Sequence, residues 1–112
     1  MILPLALAWS AIAQTVVERK EQLQQAIVDA GWRVHGMSHN LCDVRGRELE
    51  ERRLWAQVIA ADDRYRARFG EDSGAGIITE TLHYTCGRRD RWRDAHRAAR
   101  AALLKIQQLE GR

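Results

Sequence analysis

The chain has 112 residues, 46% of them hydrophobic and 29% charged, with a formal net charge of +3. That length fits one domain able to bury a core without a disulfide framework, and the hydrophobic fraction excludes a disordered chain. One proline and eight glycines exclude collagen-like or linker-like sequence.

The N-terminus, Met1-Ile-Leu-Pro-Leu-Ala-Leu-Ala-Trp-Ser-Ala-Ile-Ala13, is apolar over residues 2–13 except for Ser10. Ala11-Ile12-Ala13 has the small-x-small pattern of a signal-peptidase site, but no Lys or Arg precedes the apolar run as a secretory signal normally requires. Spanning a bilayer takes about 20 apolar residues, more than this run holds. The expectation is therefore an apolar first helix buried in a core or against a partner. A cleaved signal and contact with a membrane surface are the alternatives, and the cytoplasm is the favoured compartment.

A first helix is predicted over residues 4–30, with Pro4 in a tolerant first turn. Ile12, Val16, Leu23, Ile27 and Ala30, then Val34, recur at helical spacing. Gly31 reads as its stop, residues 35–40 as a connection, and Ser38 or Asn40 as the cap of the next helix. The second helix is predicted over 41–69. Leu54, Val58, Ala61, Tyr65 and Phe69 form its stripe, Trp55 and Ile59 flank it, and Gly70 is its C-terminal cap.

Residues 71–76 are the clearest loop. Residues 77–85 are β-branched and aromatic like a strand, yet Ile78, Leu82 and Thr85/Cys86 fit a helical stripe, and no partner strand is evident elsewhere. They are read as helix, with Gly87 as a kink. The last helix, over 88–109, carries Trp92, Ala95, Ala99, Leu103 and Ile106 on one face. The predicted fold is therefore all-α: a single domain, an antiparallel up-down-up three-helix bundle of long, similar helices joined by short connections. An elongated helical oligomer is the competing architecture.

Two His-x-x-Cys patterns, His39-Asn-Leu-Cys42 and His83-Tyr-Thr-Cys86, each place both side chains on one helix face. His39, Cys42, His83 and Cys86 form a legitimate tetrahedral zinc set, although the spacing is not a common zinc knuckle. A Cys42–Cys86 disulfide is a second reading and needs an oxidising compartment. Two reduced, buried thiols are the third and the preferred one, so no metal is favoured and no cofactor is expected.

The basic residues are almost all arginine, 16 Arg against 2 Lys, which suits bidentate recognition of carboxylate or phosphate and also fits the codon usage of a GC-rich genome. Arg89, Arg93, Arg97 and Arg100 fall on one face of the last helix, beside the Trp92 stripe. Residues 87–105 hold six Arg and one Lys against two Asp, a net of +5. Those four arginines are the expected partner-binding surface. The bland alternative is a solvated face with local pairs such as Asp90–Arg93 and Asp94–Arg97. Glu50-Glu51 and Asp62-Asp63 point about 100° apart on a helix, so neither is an acid–base dyad. Neither the cysteines nor the serines stand in a nucleophile signature. His96 reads as a satisfied boundary histidine, and the tryptophans as core or seam anchors.

The stretch 54–97 loosely resembles the small secreted lysozyme-inhibitor LprI-like family in Trp55, the loop at 72–76, and Tyr84 with Cys86. It lacks that family's Arg-Asp-x-x-Cys element, Asp62-Asp63-Arg64-Tyr65 standing near its place, and the spacing after Cys86 departs too. The likeness is not adopted.

The functional expectation is a small non-enzymatic protein that acts by binding another protein, as an inhibitor, adaptor or assembly component of the kind phages and mobile elements carry. Nucleic-acid binding through the same arginines is the first alternative, and an exported binder closed by one disulfide the second. Self-association is compatible with the apolar stripes, and membrane contact is expected nowhere beyond the N-terminal segment.

Overall fold

The structure, a computed structural model, describes residues 5–38, 46–81 and 89–111, with side chains over 16–38, 46–78 and 91–111. It is an all-α three-helix bundle of α1 (Leu5–Ser38), α2 (Arg47–Phe69) and α3 (Arg89–Glu110), with a short 3-10 segment, Ala75–Thr81, before α3. The molecule is elongated, 62 × 28 × 21 Å.

The apolar periodicity becomes one core. Leu23, Ile27, Ala30 and Val34 of α1 meet Leu54, Val58, Ala61 and Tyr65 of α2 and Ala99, Leu103 and Ile106 of α3, all buried. Alanines at 26 and 30 of α1 and at 99 and 102 of α3 are buried, and these two helices share the most extensive helix contact. Helices packed through small side chains approach toward the short end of the usual 8–10 Å range.

Helix boundaries follow local chemistry only in part. Gly70 caps α2 as expected: at φ 72° it adopts the left-handed conformation, and its N–H donates to the Arg66 carbonyl at 2.8 Å. Gly31 does not stop α1, which runs on to Ser38. Two further turns there bury Val34 and Met37, offsetting roughly 1 kcal/mol of poor glycine propensity. The missing side chain is also used: a Cβ at Gly31 would lie 2.8 Å from the Ile78 methyl. Residues 35–38 are thus helix, not connection. Ser38 does not cap α2; its buried hydroxyl donates to Glu51 Oε1 at 2.5 Å and ties the end of α1 to the second turn of α2. Helix α2 begins at Arg47, later than expected, behind a left-handed Gly46 at φ 89°.

The direction of α3 also departs from expectation. Ser38 beside Glu51, and Lys20 paired with Glu71, run α2 antiparallel to α1. Near the other end of the molecule Arg19, Gln22 and Leu23 line one pocket with Gln108 and Leu109, so α3 is also antiparallel to α1. Helices α2 and α3 are therefore parallel. His96 meets Glu50 and Arg64 meets Glu110, and both pairs are separated by 46 residues. The order is up-down-down instead of up-down-up.

The reason is the connection, which is long and lies back along α1. Gln24 Nε2 donates to the Ser73 carbonyl at 3.3 Å, Gly74 passes Val28, and Ile78 packs on Gly31. The chain thereby returns to the end where α2 starts before α3 begins. Part of the stretch predicted as helix over 77–85 is instead this 3-10 turn, with Ile78 buried and Ile77 exposed.

Asp62, on the inner face of α2, fastens the return. Its Oδ1 accepts from the Ser73 N–H at 3.0 Å and the Ser73 hydroxyl at 2.5 Å, and Arg66 bridges Asp62 and Asp72 at 3.1 and 3.0 Å.

Candidate arginine groove

Because α2 and α3 run parallel in constant register, the face of α3 that carries its arginines opens beside α2. The two helices border a groove of about 640 Å³. Arg93, Arg97 and Arg100 line it from α3, as the sequence predicts, and Arg53 joins them from α2. Arg53 was not among the expected residues, since nothing in the primary structure relates it to a helix 40 positions downstream. Arg89 is the first residue of α3, and its side chain lies outside the described residues.

Between the guanidinium groups the lining is apolar and neutral: Leu54, Leu103, Ala101, Leu104, Gln57 and Gln107. Leu104 is 54% exposed, a large apolar side chain in the middle of a cationic face. Arg93 and Arg100 have no ion-pair partner among the described residues. Arg97 lies 4.0 Å from Asp94 with both side chains about 80% exposed, a geometry worth little in water. Of the two local pairs expected, this is the one that falls within the described side chains.

The groove's inner end is held by a polar cluster. Arg53 makes two hydrogen bonds to Glu50, at 2.6 and 3.0 Å, and His96 Nε2 lies 2.8 Å from Glu50 Oε1. A carboxylate can only accept, so Nε2 carries the hydrogen. The His96 ring stacks on Trp92 at 4.7 Å, and the Arg47 guanidinium covers the same indole at 4.8 Å. His96 is thus the satisfied boundary histidine expected, and Trp92 and Trp55 serve as packing anchors. Trp32 does not: it is half exposed, edge-on to His35.

The hydrogen bonds from Arg53, then from His96, hold the Glu50 carboxyl down at about 2, against the opposing effect of burial. At Asp62 burial pushes the carboxyl up, but the Ser73 hydroxyl and N–H and the Arg66 charge outweigh it, leaving it below the ordinary range. Both groups titrate lower in the folded state than in the unfolded chain. Their contribution is complete above the unfolded value and is lost as pH falls through the folded one.

Stability is therefore expected to hold from neutral pH to about 5 and to fall between about 4.5 and 2. Glu50→Gln should remove about 1–3 kcal/mol of that acid-sensitive stability, allowing for solvent screening at the 60% exposed Arg53. Urea unfolding measured across pH 2–7 checks this.

The adjacent carboxylates diverge as their spacing requires. Glu50 meets Arg53 and His96, while Glu51 is buried toward α1, accepting from Ser38 and from the Trp55 indole at 3.2 Å. His39, Cys42, His83 and Cys86 lie outside the described residues, as does Gly87. Among the described residues no group of His, Cys, Asp or Glu is arranged to hold a metal ion.

Fold and site together define a small helical bundle with an arginine-lined groove between two parallel helices. Comparison with protein-family models, with curated proteins and with solved structures finds no match to this chain.

Proposed function

We propose that this chain is a small non-enzymatic binding protein whose α2/α3 groove takes an acidic, amphipathic segment of a protein partner, in the manner of an inhibitor, adaptor or assembly component. The observation that carries this reading is the pairing of two chemistries on one surface. Arg53, Arg93, Arg97 and Arg100 surround a strip on which Leu104 is exposed. A helix with acidic flanks and one apolar stripe matches both: its carboxylates meet the guanidinium forks, and a large apolar side chain covers Leu104 and Ala101.

A phosphate backbone would use the arginines but leave the apolar strip wet. Among the described residues no Phe, Tyr or Trp lines the groove to stack on bases. These features favour a protein partner over nucleic acid.

The test is fluorescence anisotropy with a labelled amphipathic helical peptide, leucine on one face and glutamate beside it, against duplex DNA and an RNA homopolymer. The peptide is expected to bind, with an affinity that survives moderate salt because part of it is apolar contact. Binding to DNA or RNA in preference to the peptide, with a steep linear fall on a log–log salt plot, would assign the groove to nucleic acid.

A further inference from the structure

The three helices are unequal, and α1 is the long one, at 34 residues against 23 for α2 and 22 for α3. The bundle ends near Lys20, which pairs with Glu71 just past the α2 cap, and near Arg19, Gln22 and Leu23, which share a pocket with the end of α3. Helix α1 nevertheless starts at Leu5. Residues 5–15 alone add about 16 Å of helix beyond that level.

The sequence changes character at the same place. Residues 1–17 contain no Asp, Glu, Lys, Arg or His, and Glu18-Arg19-Lys20-Glu21 follow at once. The two residues on the apolar side of this boundary whose side chains are described, Val16 and Val17, are 58% and 52% exposed. Consecutive helical residues point about 100° apart, so apolar surface is open on more than one side of α1. Val16, predicted on the apolar stripe of the first helix, is thus open to solvent; the run 2–13, expected to be buried in a core or against a partner, has its side chains outside the described residues.

We propose that the N-terminal spur of α1 inserts into a lipid bilayer, holding the bundle at the membrane surface with Glu18–Glu21 at the boundary. A second copy of the chain would call for one apolar stripe bordered by charge, as in a coiled coil. A helix without charge on any side is instead matched to hydrocarbon. Its reach of about 16 Å equals one leaflet, about half of a 30 Å hydrocarbon core. Among the described residues no helix is long and apolar enough to cross a membrane, and insertion to leaflet depth requires none.

The test is flotation of the full chain with phosphatidylcholine vesicles, beside a Leu7→Asp, Ile12→Asp variant. The unaltered chain is expected to rise with the vesicles. The variant should lose more than about tenfold of the floated fraction, while keeping the same thermal unfolding and the same peptide binding in the groove. A full chain that stays at the bottom overturns the proposal, and light scattering then shows whether a dimer covers the spur instead. A variant that floats as well as the parent overturns it too.

Discussion

Tyr65→Ala is expected to destabilise the bundle by about 3–5 kcal/mol, the range for deleting a large buried aromatic side chain. Tyr65 is the largest fully buried side chain among the described residues, 1% exposed, and its ring lies 4.8 Å from that of Phe69. Its position on α2 matters as much as its size. Tyr65 sits one turn after Ala61 in the core stripe and beside the turn that sends the chain back along α1, so its loss loosens both. A domain of this size has only about 5–15 kcal/mol in total, and the midpoint of thermal unfolding should fall by roughly 10–20 °C. Tyr65→Phe separates ring from hydroxyl. The hydroxyl's contact with Glu71 is long, 3.4 Å, so the phenylalanine variant should stay within about 1 kcal/mol of the parent. Circular dichroism melts of the three proteins check both values.

Reversing the charges of the arginine stripe predicted on α3 has the largest expected effect on function. Arg89→Glu, Arg93→Glu, Arg97→Glu and Arg100→Glu together change the local charge by eight units. Acidic-peptide binding should fall by at least a hundredfold, since removal is compounded by repulsion of the ligand's carboxylates. The helix should survive, because Arg93, Arg97 and Arg100 are exposed and contribute nothing to the buried face of α3. Unchanged binding with unchanged helicity would remove this surface from the functional reading. Arg53→Ala alone should weaken binding less and also release Glu50, so its effect on acid stability accompanies its effect on affinity.

The helices were legible in the sequence because their burial follows a 3.6-residue period: Leu54, Val58, Ala61 and Tyr65 are all buried where the pattern places them. Gly70 was legible for a local reason, the left-handed backbone of a helix cap. Gly31 was misleading for a non-local one. Its meaning comes from Ile78, which approaches where a side chain would stand, and no spacing rule relates those two residues.

The sense of α3 was equally hidden. Nothing distinguishes a loop that turns sharply from one that lies back along a neighbour until the bonds between Asp62 and Ser73 are known. That topology also determines the site. Three of the groove's four arginines could be read from the periodicity of α3, while the fourth, and the apolar strip beside them, follow only from α2 and α3 running parallel.

The most direct test of the central reading is a proton–nitrogen correlation titration of the labelled chain with the acidic amphipathic peptide, following backbone and arginine side-chain signals together. Saturable shifts are expected, concentrated at Arg53, Gln57, Arg93, Arg97, Arg100 and Leu104, with α1 residues such as Gln25 and Asp29 unmoved. Shifts spread evenly over all exposed arginines, or centred on another face of the bundle, would contradict it.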